Sequence, residues 1–133
     1  MASNLNTSVV AAQAQAVAMA PLANGGFLDV YAGSQPATPE TAAGSTALAT
    51  FALPATFAAS VTNGVITANA IAAVTIANTG TAAWFRVTEA DHATPLFDGL
   101  VGTSASDMIL NATSLVAGAS LTISSLTYTV PGV

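Results

Sequence analysis

Very few residues in this chain could do chemistry. One His, one Arg, no Lys and no Cys stand among 133 residues, with six acids: Asp29, Glu40, Glu89, Asp91, Asp98 and Asp107. Asp91-His92 is the only acid/base pair adjacent in sequence, and Ser104 and Ser106 are the nucleophiles it would need. Neither serine lies in the Gly-x-Ser-x-Gly frame of a nucleophile elbow. A single His in a polar turn is therefore expected to be a solvated loop residue, and no catalytic residue is assigned. Calcium would need six to eight oxygen ligands, yet Asp91, Asp98 and Asp107 are scattered without an Asp-x-Asp-x-Asp run. Asp98-Gly99 reads instead as a turn or bulge, glycine supplying the backbone freedom. Asn24-Gly25-Gly26 and residues 99–102 lack the strand-to-helix setting of a phosphate cradle. No metal or cofactor is expected.

Arg86 is the residue to single out. It shares one face of a predicted strand with Trp84, while Phe85 and Val87 take the other. As the only Lys or Arg it is expected to pair with a carboxylate from Glu89, Asp98 or Asp29, within the chain or at an interface. Trp84 and Tyr31 would alternatively serve as sugar-stacking platforms with Arg86 beside them. Trp84, Arg86, Asp98 and Tyr31 are thus the structural or interface candidates.

Charged residues are only 5% of the chain, against roughly 25% in ordinary soluble domains, and the formal net charge is −5. Nucleic acid is excluded as a partner, because its binding rests on clustered Lys and Arg that neutralise phosphates. Anionic membrane surfaces are excluded for the same reason. No apolar run reaches a membrane span, and no basic region marks a signal peptide. The absence of cysteine leaves the redox compartment open. A surface with so few charges must be Thr, Ser, Asn, Gly and Ala, or be covered by neighbours.

Two segments must position these residues. Residues 1–21 are predicted to form an N-terminal helical arm: Asn6 or Thr7 would be its N-cap, Ala, Gln and Met favour helix through Ala20, and Pro21 ends it. Such a short helix is marginal in water alone. It must lie on its own domain or reach a neighbouring subunit. Residues 22–133 alternate like strands. Phe27, Asp29 and Tyr31 share a face opposite Leu28 and Val30. Further strands are predicted over residues 48–53, 57–61, 65–68, 71–77, 82–89, 95–101, 108–110, 115–116 and 121–130. Asn63-Gly64 makes a two-residue hairpin turn, residues 33–45 a loop, and Ser124-Ser125 a bulge. This series of short strands separated by turn signals predicts an all-β, antiparallel β-sandwich or jelly-roll-like domain. Its core would use Phe27, Leu28, Val30, Phe51, Leu53, Phe57, Ile66, Ile76, Trp84, Phe85, Val87, Leu96, Phe97, Leu110, Leu121, Ile123, Leu126 and Tyr128. Such side chains contribute about 25 cal/mol per Å² of apolar surface removed from water.

Residues 24–43 (beginning Asn-Gly-Gly-Phe-Leu-Asp-Val-Tyr), Trp84-Phe-Arg86, Phe97-Asp-Gly99 leading to Val-Gly-Thr-Ser104, and the ending from Val116 to Pro131 carry a resemblance. Over about residues 22–131 the chain resembles small virion structural proteins of tailed double-stranded DNA phages and prophages. The resemblance implies a non-enzymatic part of the particle. Capsid decoration or cement fits best: an acidic protein on the outer capsid surface never meets packaged DNA, and it would bind the major capsid protein and other copies of itself, as a homotrimer, to stabilise the shell. The alternatives are a tail or head-tail component, or a carbohydrate-binding, adhesin-like β-sandwich.

Overall fold

A computed structural model describes residues 9–130. The chain folds as an all-β, sandwich-like domain with one short N-terminal helix. The strands are β1 (Phe27–Tyr31), β2 (Ala49–Ala52), β3 (Ala58–Thr62), β4 (Val65–Ala68), β5 (Val74–Thr75), β6 (Gly80–Thr81), β7 (Trp84–Thr88), β8 (Pro95–Gly102), β9 (Met108–Leu110), β10 (Ser114–Leu115), β11 (Ser120–Leu121) and β12 (Ile123–Thr129). Eight of them form one curled sheet in the order β2-β1-β7-β8-β9-β12-β4-β3, and the pairs β10-β6 and β11-β5 make two small ribbons. Apolar side chains from the concave side, including Leu28, Val30, Phe51, Phe57, Ile66, Phe85, Val87, Phe97, Met108 and Leu126, close on one another as the core.

Among the described residues all pairings are antiparallel except β8 with β9, where Val101 faces Met108 and Gly102 faces Ile109. A parallel pair ordinarily needs a long crossover. Here the overlap is two residue pairs, so the five residues between the strands span the return.

Helix α1 (Val9–Met19) lies on its own domain, against β3 and β4. Gln13 fixes it there: its side-chain nitrogen donates to the Val61 carbonyl at 3.0 Å and its oxygen accepts from the Gly64 amide at 2.8 Å. Asn63 and Gly64 take φ of 52° and 79°, as the predicted two-residue turn requires. A side chain at 64 would also strike Ala12, so this glycine serves both the turn and the helix contact. The expected cap at Asn6 or Thr7 lies outside the described residues.

Several expectations are corrected. Helix α1 stops at Met19, one residue short of the expected Ala20, and the chain goes on as a 3-10 turn (Ala20–Ala23) with Pro21 in its first turn, where a missing N–H costs nothing. The strand expected over residues 71–77 shrinks to Val74–Thr75, and the C-terminal strand divides at Thr122. Asp98-Gly99 is no turn: both residues sit within β8, opposite Arg86 and Phe85. Phe27 is half-buried on the face opposite Leu28. Trp84 is fully buried, yet it lies across β7 from the core residues Phe85 and Val87. The slip at Ser124 is present, as a register shift between Ile123 and Ser125 against β9. No described helix is long and apolar enough to cross a membrane.

Candidate functional site

Strand alternation assembles a polar row on the sheet face away from the core. Register sets Thr50 opposite Asp29, Asp29 opposite Arg86, and Arg86 opposite Asp98, so four side chains cross β2, β1, β7 and β8 in one line. Asp29, Arg86 and Asp98 are all buried, with 6–8% of their surface exposed. Of the three carboxylates open to Arg86 from sequence, Asp98 takes it. The guanidinium Nε donates to Oδ1 at 2.7 Å and Nη2 to Oδ2 at 2.9 Å, a bidentate pair. Its hydrogen bond to Asp98 raises the Arg86 pKa further, against the opposing effect of burial.

Asp29 finds other partners. The Thr50 hydroxyl donates to its Oδ1 at 2.5 Å, and His92 Nε2 stands 2.9 Å from Oδ2 and 3.1 Å from Oδ1. His92 comes from the turn joining β7 to β8, where it adopts a φ of 58°. Its ring stacks on Phe27 with centroids 4.3 Å apart. The turn is held by Asp91, which accepts from the Ala93 and Thr94 amides at 2.9 Å each and from the Thr94 hydroxyl at 2.5 Å. Those bonds, the Thr94 hydroxyl foremost, lower the Asp91 pKa to about 2. Asp91 and His92 therefore face different partners and do not form the adjacent acid/base pair considered from sequence.

Aromatic groups flank the row. Tyr31 stacks on Trp84 at 4.5 Å, and the Arg86 guanidinium carbon lies 5.3 Å from the Trp84 ring centre. Burial, then the negative charge of Asp29, raises the Tyr31 pKa. Trp84 has no exposed surface, and its indole nitrogen is buried without a hydrogen-bond partner among the described residues. A sugar cannot stack on a ring that Tyr31 and Arg86 already cover, so the Trp84 platform is corrected to a buried contact.

The four candidates Trp84, Arg86, Asp98 and Tyr31 thus share one face and touch one another in pairs. His92 and Asp29 join them, a relationship that sequence reasoning missed because 63 positions separate the two. Ser104 and Ser106 stand apart: the Ser106 hydroxyl donates to the Ser104 carbonyl at 3.3 Å. Asp107 accepts from the Leu100 amide at 3.0 Å. No group of three or more His, Asp or Glu among the described residues is placed to hold a metal ion. Chemically the row is a clamp: it pairs Arg86 with Asp98, gives the buried Asp29 carboxylate hydrogen-bond partners from β2 and the β7–β8 turn, and so ties that turn to β1. Compared with protein-family models, with curated proteins and with solved structures, the chain matches none.

Proposed function

We propose that this chain is a non-enzymatic structural protein of a tailed-phage virion, a capsid decoration or cement protein that binds the outer surface of the shell and stabilises it. Its partners are the major capsid protein and other copies of itself. The observation that carries the reading is the placement of Arg86. The only Lys or Arg of the chain is 7% exposed and bound to Asp98, which leaves the surface with no basic side chain but the half-exposed His92. Such a surface gives no footing to a polyanion. It is also inexpensive to cover, because a buried unpaired charge is costly whereas Thr, Ser and Ala are not. The resemblance to phage virion proteins over residues 22–131 supports the same reading.

Purified protein added to capsids of the encoding phage that lack it is expected to cosediment with them to a saturating stoichiometry and to raise their resistance to heat. Protein that stays in the supernatant, or that is recovered from native virions only with the tails, would overturn the decoration reading.

A further inference from the structure

Helix α1 is apolar on both sides, and Val10 and Val17 both face away from the domain. Toward the domain it presents Ala12, Gln13, Ala16 and Met19, with Ala16 fully buried and Met19 half-buried. Toward solvent it presents Val10, Ala14, Gln15, Val17 and Ala18, with Val10 65% and Val17 52% exposed. Leu22 in the following 3-10 turn is 49% exposed. A surface helix normally directs its branched apolar residues at the core and its charges outward, and a helix apolar all round is a buried helix. This one has no charge, and the one Gln that bonds the domain points inward. Beside it runs a groove of about 210 Å³ lined by Val17, Ala20, Pro21, Asn24, Ala58 and Val61 among others.

We propose that this face is an interface between two copies of the chain, packed α1 against α1. The stripe Val10, Ala14, Val17 and Ala18 has the i, i+4, i+7, i+8 spacing of a helix seam. Val10 and Val17 lie four positions before and three positions after Ala14, near the middle of the helix. An antiparallel helix pair with its two-fold axis near Ala14 sets Val10 of each copy beside Val17 of the other, and small Ala14 lets the backbones approach. Such an isologous contact uses one patch twice. Charge favours a second copy over a foreign partner. Each copy carries a net charge of −5, so identical chains meet without like-charge repulsion only where charges are missing, and α1, the 3-10 turn, β3 and β4 carry none. A foreign partner for so acidic a chain would gain from cations set against its acids, and this face offers it no acid to meet. An ordinary interface takes about 800 Å² per partner, about an eighth of the 6796 Å² surface. The inference rests on the part of the proposed function that has copies associating, and not on where in a virion they sit; the contact is two-fold, and so differs from the homotrimer that the resemblance implies.

Light scattering across a concentration series, on the full chain, is the test. The unmodified protein is expected to associate, and Val17→Asp to weaken that association by about a hundred-fold or more, since two uncompensated charges would be buried at a two-fold contact. Unchanged circular dichroism and Trp84 fluorescence would show that the variant folds. Because the chain has no cysteine, Ala14→Cys provides an independent reading: oxidation is expected to yield a covalent dimer, whereas Val116→Cys, exposed elsewhere, is not. A monomer at every concentration overturns the proposal. So does association that Val17→Asp leaves intact without cross-linking at Ala14→Cys, an outcome that keeps self-association and moves it to another face. Capsid binding is read in a separate assay, so losing one reading leaves the other standing.

Discussion

Arg86 and Asp98 stand opposite each other at one register position of β7 and β8, joined by two hydrogen bonds of 2.7 and 2.9 Å with both side chains more than nine-tenths buried. A pair of this kind adds little over a well-packed apolar pair, but it is costly to break from one side. Arg86→Met would leave the Asp98 carboxylate buried with no cation. It is expected to lower unfolding stability by about 3–5 kcal/mol, measured by urea denaturation. The double variant Arg86→Met with Asp98→Leu should recover much of that loss. Equal, additive losses would mean that the pair does not act as a unit.

The next neighbour along β8 gives a steric prediction. An added Cβ on Gly99 would come within 2.5 and 2.6 Å of two ring carbons of Phe85, itself fully buried and edge-on to Phe97. Gly99→Ala is expected to cost about 1–3 kcal/mol by overpacking. Combining it with Phe85→Leu, which vacates that space, should make the alanine nearly harmless relative to Phe85→Leu alone. Thermal unfolding of the four proteins completes the cycle.

Gly99 also illustrates what was readable from the chain and what was not. Features fixed by neighbouring residues are legible: alternation defines β1 from Phe27 to Tyr31, Asn63-Gly64 marks the β3–β4 hairpin turn, and the doubled serine at 124–125 marks the slip in β12. Glycine after an aspartate signals a turn by the same local logic. Here, however, the glycine answers to Phe85, fourteen positions away, whose ring leaves no room for a side chain. Likewise the sharing of a face by Trp84 and Arg86 follows from period two, whereas the choice of Asp98 over Asp29 and Glu89 depends on strand order and register. His92 reaches Asp29 only because β1 lies beside β7. Tertiary neighbours, not local preference, decide the polar row.

At the β7–β8 turn, Asp91 is held at a pKa of about 2, chiefly by the Thr94 hydroxyl and then by the Thr94 and Ala93 amides. A carboxyl whose folded pKa lies below its ordinary value of 3.8 adds stability above that value, and the contribution fades as pH falls toward 2. Thr94→Val removes the hydroxyl while keeping the side-chain shape. The Asp91 pKa, followed by NMR titration, is expected to move up toward 3.8. A midpoint that stays near 2 would show that the two amides suffice.

The alkaline limit should be set by the two tyrosines. Burial is the main cause that raises both phenols, helped by the charge of Asp29 at Tyr31 and of Asp107 at Tyr128. Tyr31 is stacked on Trp84 and Tyr128 on Phe97 at 4.0 Å, and both rings are half-buried. A phenol that holds its proton more tightly when folded stabilises the fold fully below the unfolded value of 10, and that contribution is lost as pH rises from 10 through the raised value. Ultraviolet titration of the native chain is expected to give no phenolate until above pH 10, with both groups returning to the ordinary value in denaturant. Stability measured across the same range should fall only on the alkaline side of 10. Replacing Tyr31 and Tyr128 together by Phe should flatten that fall, because the variant then has no phenol to ionise; an undiminished alkaline loss in the double variant would assign the limit to another group.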